Sequence, residues 1–400
     1  MIHIHKSQEG GMKRNDAGRA DRCIWDIRKT HSRKSLIRPV LHCMTGIIFL
    51  ILITFIAGCS AIEKDSIDNL SFSHDGKKVV FDRCRIGGCQ IQVYDLETGE
   101  LAAYQSPKNE QWTMGKYSFD GKRIAFSVIP KKAKGGFDLG NMQIAVMDPD
   151  GKNLKKVTTG PGAKLYPAFS HDGKKILYAC AAYIRTKGGT PAAQYDAWEV
   201  HLDTGAQTRL THFKYFNMSN LTYFPDDERF IYWGYMPDEY EGVGVMDGPA
   251  FQGKMIELGK KGISIIGIAV MKGKELTPSP YHSFPSESFP QRPLLSKDGS
   301  VMIYEKSGSG DFYLYSEGGK HRYVGGGGSI DSAAMSPNME LLAVNCDTSI
   351  NIHTIQNGKL NQILYVSYDK KATENWEEAY KGSEKLYKMI PETPLRILNR

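Results

Sequence analysis

The chain has 400 residues, 41% hydrophobic, 24% charged and 10% aromatic, which excludes a wholly disordered or collagen-like polymer. Of the formal charge of +7, +6 sits in the first 58 residues, with ten Lys/Arg against four Asp/Glu, and the remainder, at +1, is close to neutral. A nearly neutral body lacks the electrostatic footprint of a phosphate-backbone binder, and no nucleic-acid partner is expected.

Residues 1–58 read as an export leader. Arg28, Lys29, Arg33, Lys34 and Arg38 precede an apolar run at residues 47–56. That run is too short to cross a bilayer as a helix and fits the apolar region of a signal peptide. Ile56-Ala57-Gly58-Cys59 follows. It resembles a bacterial lipobox. The resemblance implies cleavage before Cys59, a lipid thioether on its thiol and acylation of the new amino terminus, so that the membrane is a partner through a lipid anchor. Ser60 resembles the residue of the outer-membrane-directed class, which places the chain in the cell envelope, on the periplasmic side of the outer membrane. Residues 59–65 are then a short lipidated linker.

Residues 66–368 repeat. Phe72-Ser73-His74-Asp75-Gly76-Lys77, Tyr117-Ser118-Phe119-Asp120-Gly121-Lys122 and Phe169-Ser170-His171-Asp172-Gly173-Lys174 are strong copies. Degenerate ones occupy Phe224-Pro225-Asp226-Asp227, Leu295-Ser296-Lys297-Asp298-Gly299 and Met335-Ser336-Pro337-Asn338. Each precedes an alternating apolar run. The aspartate caps a hairpin turn and the glycine supplies its positive φ. A second glycine turn follows in each copy, as at Thr98-Gly99 and Asp150-Gly151, so each unit holds four antiparallel strands. The turn residues fall at 75, 120, 172, 227, 298 and 338, at intervals of 40 to 71 residues. The expected fold is all-β, a six-bladed propeller of four-stranded blades.

These repeats resemble those of the TolB family, a WD-like propeller. The separate α/β domain that the TolB family carries ahead of its propeller has no room between Cys59 and the first repeat, so that family's partners do not carry over.

Residues 369–400 read as a C-terminal amphipathic helix and tail. Ala372, Trp376, Ala379, Tyr380, Leu386, Tyr387 and Ile390 share one helical face, Pro391 stops it, and Gly382 weakens it.

The chemistry is sparse. Cys84 and Cys89 flank a four-residue loop within disulfide reach, and export permits oxidation; two free thiols or half a metal site are the other readings. Cys180 and Cys346 read as buried free thiols. His74 and His171 read as solvated turn residues. No spacing supports a metal or cofactor site, no nucleophile elbow occurs, and no glycine run has a phosphate-loop context. The turn aspartates recur in every unit, which makes them structural. The richest loops lie on the face of the second-to-third strand connections, over units two to four. There Tyr183, Tyr195, Tyr235, Tyr240, Phe251, Tyr281, His282 and Phe284 form a candidate binding face. Packing of those loops on one another is the other reading. The expected function is a membrane-anchored binding scaffold for another envelope protein or a small ligand. The alternative is a carbohydrate lyase or hydrolase with its site in the central channel.

Overall fold

A computed structural model describes residues 65–85, 88–185, 191–213, 215, 217–235, 264–272, 275–280, 290–306, 309–316, 320–326, 330–346, 348–356, 359–368, 374, 386–390 and 394–398. The leader, Cys59 and most of the linker lie outside them.

Among the described residues the strands form six small sheets. Blade one holds β1 (Ser66–Phe72), β2 (Lys78–Arg85), β3 (Gly88–Asp95) and β4 (Leu101–Tyr104). Blade two holds β5 (Glu110–Tyr117), β6 (Ile124–Pro130), β7 (Gln143–Met147) and β8 (Lys155–Lys156). Blade three holds β9 (Ala163–Phe169), β10 (Lys175–Arg185), β11 (Pro191–His201) and β12 (Gln207–Arg209). Blade four holds β13 (Met218–Tyr223), β14 (Arg229–Tyr235), β15 (Ser264–Lys272) and β16 (Glu275–Pro280). Blade five holds β17 (Pro290–Leu295), β18 (Val301–Lys306), β19 (Asp311–Ser316) and β20 (Lys320–Gly326). Blade six holds β21 (Ser332–Met335), β22 (Leu341–Cys346), β23 (Ser349–Gln356) and β24 (Lys359–Ser367). The first strands β1, β5, β9, β13, β17 and β21 touch in that cyclic order, and β21 touches β1. The molecule is a propeller, and these strands line its axis.

Every first hairpin closes in one way. Ser73 Oγ donates to Asp75 Oδ1 (2.5 Å), which also accepts Lys77 N–H (3.1 Å), while Ser73 Oγ accepts Lys78 N–H (3.0 Å). The same set recurs around Ser118–Asp120, Ser170–Asp172, Ser296–Asp298 and Ser336–Asn338. Blade four shifts the roles by one residue. Asp226 takes the capping contacts, with Glu228 N–H and Arg229 N–H both at 2.9 Å. Asp227, read from the sequence as the turn acid, instead occupies the glycine position with φ 52°.

The apolar alternation fills every gap between blades, with two clusters between blades two and three. Val80, Ile91, Trp112 and Phe126 lie between blades one and two, for example, and Ile303, Val324, Leu342 and Val344 between five and six.

The axial strands share an irregularity. Asn69, Met114, Tyr166, Asn220 and Arg292 have φ between 49° and 61°, each at a break in strand register. Each lies six residues before its turn acid. These are β-bulges, which leave backbone groups without ladder partners. Buried side chains seven residues after the turn acid supply replacements. Asp82 accepts Met114 N–H (2.9 Å), the Thr113 hydroxyl and the Asn69 amide (2.7 Å). Ser127 donates to Lys164 O (3.0 Å), and Asn345 donates to Ile67 O. All three span to the next blade, so the ring is tied near its axis.

The helix expected over 371–390 is corrected at its end. Residues 375–385 lie outside the described set, and Leu386–Met389 is strand β25, pairing parallel with β24. Strand β26 (Arg396–Leu398) pairs parallel with β4. The outer edges of β24 and β4 offer rows of unpaired backbone groups, and satisfying them outweighs a helical period that Gly382 already interrupts. The tail thereby adds a fifth strand to the last and first blades. Its Ile390 is buried in the cluster between those blades, and Leu398 in the next.

Asp82→Ala should cost about 3 kcal/mol of stability, because it strands three donors away from water. Urea unfolding of variant and parent, compared at their midpoints, checks this.

Candidate functional site

The axial strands enclose a cavity of about 330 Å³ lined by residues of all six blades. It runs from the bulges to the first-hairpin turns, where His74, Phe119, Lys297 and Pro337 surround its mouth. Strand alternation decides what faces it. Phe72, Phe169 and Tyr223 are buried in the clusters between blades, although Phe72 and Phe169 also reach the edge of the cavity. The residue before each (Ser71, Ala168, Thr222) lines the cavity, as does Lys116 at the matching position of blade two.

Lys116 crosses the lumen. Its Nζ reaches Thr222 Oγ1 of blade four at 3.4 Å, past Ala168 of blade three, and has no ion-pair partner among the described residues. Burial pushes its pKa down to about 8. Arg292 enters from blade five, opposite blade two. One of its nitrogens, Nη1, pairs with the buried Glu305 carboxylate, whose other oxygen accepts Gln291 Nε2 at 3.0 Å. Its Nε and Nη2 make no further hydrogen bond among the described residues. The Tyr166 hydroxyl and the Asn220 amide nitrogen also have none among the described residues, although both residues line the cavity. Burial raises the Tyr166 hydroxyl pKa, with Arg292 opposing the shift. On blades one and six the matching groups are spent within the protein: Asn69 on Asp82, Ser332 on Asn345.

Below the cavity, Asp68 is pushed up to about 7. Burial is the main cause, the Asp82 and Asp331 charges add to it, and Arg292 opposes it. Asp82 is pushed up to about 6 by burial, against the hydrogen bonds it accepts. Asp65, where the described chain begins, goes the other way. Burial would raise it, but Arg83 and Arg85 each hold it with two hydrogen bonds and bring it to about 2.

The mouth is built from interlocked turns; His74 is exposed there, in line with its reading as a solvated turn residue, whereas His171 is half-buried, which corrects that reading for it. The His74 ring lies over Gly121 of the next turn, so close that a Cβ there would fall 2.0 Å from Nδ1. His171 stacks on Phe119 at 3.7 Å between ring centroids, its backbone N–H donates to Asp227 Oδ1 (2.7 Å), and its ring Nε2 is buried without a partner among the described residues. Arg123 Nη2 donates to Gly173 O (2.6 Å). Each contact joins one blade's turn to the next.

Cys84 and Cys89 are directly opposed across the β2–β3 hairpin, Cα–Cα 4.0 Å, and carry a disulfide. Cys180 is a half-buried free thiol whose pKa burial raises; the Cys346 side chain lies outside the described set. Of the candidate binding face, Tyr240, Phe251, Tyr281, His282 and Phe284 lie outside the described residues. Tyr183 and Tyr235 are placed on β10 and β14 by backbone alone. Tyr195 is half-buried beside Phe137 and Leu139 of the blade-two loop, over Ile129, Met142 and Ala181. It exchanges backbone hydrogen bonds with Tyr215 (2.7 and 3.0 Å). The structure therefore does not bring those eight residues together as one described surface. Sequence reasoning missed Lys116, Tyr166, Asn220 and Arg292. The available signal was position relative to the turn acid: Tyr166, Asn220 and Arg292 lie six residues before theirs, and Lys116 four before Asp120.

The chain matches no protein-family model and no curated protein. Among solved structures it is similar to TolB from Acinetobacter baumannii, at 16% identity over 78% of this chain and 67% of that one, TM-score 0.49. The putative TolB from Agrobacterium tumefaciens aligns at 16% identity over 69% and 87%, TM-score 0.46. An oligogalacturonate lyase in complex with manganese aligns at 14% identity over 75% and 77%, TM-score 0.47. Likeness at this level carries no argument about activity.

Asp68→Asn tests the channel floor. The folded protein binds a proton on Asp68 that the unfolded chain has released between about pH 4 and 7, so this group makes stability fall as pH rises through that window. The variant should match the parent near pH 3 and exceed it by on the order of 2 kcal/mol at pH 8. Urea midpoints across the range read the difference.

Proposed function

We propose that this chain is an exported, lipid-anchored propeller that serves the cell envelope as a binding module, with its central channel as a ligand site. The observation that supports this reading is how the polar groups are distributed. The recurring turn acids are consumed by their own hairpins, and the buried acids Asp82 and Glu305 by bulges and Arg292. The channel, in contrast, keeps donors without partners among the described residues, inside a preformed concavity, the usual form of a small-ligand site. The second reading, a lyase or hydrolase working in the same channel, differs in what happens to the ligand. Native mass spectrometry of protein extracted gently from membranes should give a bound mass that survives incubation unchanged. Conversion of that ligand to a product mass would replace the binding reading with the catalytic one.

Anchoring rests on Cys59. Cys59→Ser should abolish labelling by a fatty-acid analogue and release the protein from membranes; persistent labelling overturns the lipobox reading. The aromatic loops remain a candidate surface for an envelope protein. Tyr240→Ala with Phe284→Ala should weaken recovery of a crosslinked partner at least tenfold with little change in melting temperature. A collapse of stability would make these side chains packing elements.

A further inference from the structure

The cavity is chemically lopsided. Lys116, Tyr166, Asn220 and Arg292 come from blades two, three, four and five, and each holds at least one N–H or O–H without a partner among the described residues. All are donors. On blades one and six, Asn69 and Ser332 are already engaged. The charged lining residues are Lys116, Arg292 and Lys297, with His74 at the mouth, against one carboxylate, Asp331, which is exposed. Lys116 and Arg292 enter from opposite blades, two residues apart in level along the axis. An ammonium, a guanidinium edge, a phenol and an amide facing one lumen have one complement: a group with several acceptor oxygens and negative charge.

We infer that the channel binds a small organic oxyanion, a carboxylate or phosphate ester, between Lys116 and Arg292, with Tyr166 and Asn220 completing its hydrogen bonds. This deepens the reading of the channel as a ligand site and rests on it. Lys116 supplies the main attraction. Arg292, held by Glu305, supplies directed N–H groups in a fixed plane. Tyr166 and Asn220 are short and rigid, which suits a ligand held by shape as well as charge. The volume of about 330 Å³ lies at the small end for organic ligand sites and leaves room for a few carbons beyond the anionic group.

Calorimetric titration of the full chain in detergent provides the test, with glycerol 3-phosphate, glycerate and neutral glycerol as probes. Saturable binding of one or both anions, with glycerol inert, is the expected result; the stronger of the two identifies phosphate ester or carboxylate. Lys116→Met should weaken anion binding at least tenfold, the loss of one charge-assisted hydrogen bond. It should not lower the melting temperature, because it removes an uncompensated buried amine. Tyr166→Phe keeps the packing, should weaken binding about threefold to tenfold, and stands in if the first variant misfolds. Anions that bind both variants as they bind the parent would place them elsewhere and overturn the inference. Glycerol binding as well as the anions would leave the channel a ligand site and remove its charge preference. No binding by any probe, combined with no ligand mass on the native protein, would remove both readings.

Discussion

The structure depends on a local misfit in its innermost strands. Each blade must present its first strand to a narrow axis, and five of the six described axial strands do so through a residue with φ near 55°. That conformation strands backbone groups in the least solvated part of the molecule. The cost is met across the blade boundary, by Asp82, Ser127 and Asn345. One device therefore closes the axial strands, joins neighbouring blades and fixes which side chains face the lumen. Asp82 shows the stakes. It is fully buried and carries a raised pKa, yet it accepts from Thr113, Met114 and Asn69 at once. A buried carboxylate without that set would be among the most expensive groups in the fold.

Closure of the ring uses a second device at larger radius. Each blade is built from consecutive strands, so no strand is exchanged between the first blade and the last. The seam is covered instead by the tail, with β25 on blade six, β26 on blade one and Ile390 between them. Tyr368 adds a polar tie. Its hydroxyl donates to Gln92 and its ring carries the Arg83 guanidinium at 3.9 Å. Parallel strands on two open edges satisfy backbone groups that would otherwise template association with other chains.

The fold was legible because its rules are local. A serine two residues before an aspartate, then glycine, sets a turn by hydroxyl and carboxylate contacts that need no tertiary context, and six copies at blade spacing define the ring. The tail was not legible, because its strands form only where β24 and β4 leave edges, and β4 lies at the far end of the repeat region from the tail. The helical spacing of Leu386, Tyr387 and Ile390 was real but outvoted. The site was legible only in part. Aromatic loops announce themselves by composition, whereas the channel is assembled from single residues on six strands. Met114, Tyr166 and Arg292 are unremarkable until their shared offset from the turn acid is noticed. His171 misled for the same reason: its exposure depends on its neighbour, and Phe119 of the adjacent turn is what it covers.

The position of Lys116 is the strongest sign that the channel serves more than closure. At its level the neighbouring lining positions are Ser71, Ala168, Thr222, Leu294 and Ala334, small or apolar side chains that would pack a narrow axis without electrostatic penalty. A methionine or leucine would cross the same lumen and stabilise it. The chain instead carries an amine whose only described hydrogen bond is a long one to Thr222 and whose proton is held less tightly than in water. Arg292 repeats the pattern in milder form, anchored at one nitrogen and open at the others. Residues that violate local stability rules without a compensating contact tend to mark function. In this ring two such residues enter one cavity from opposite sides, and the acids that would neutralise Lys116 are held elsewhere, Glu305 by Arg292 and Asp82 by the bulges.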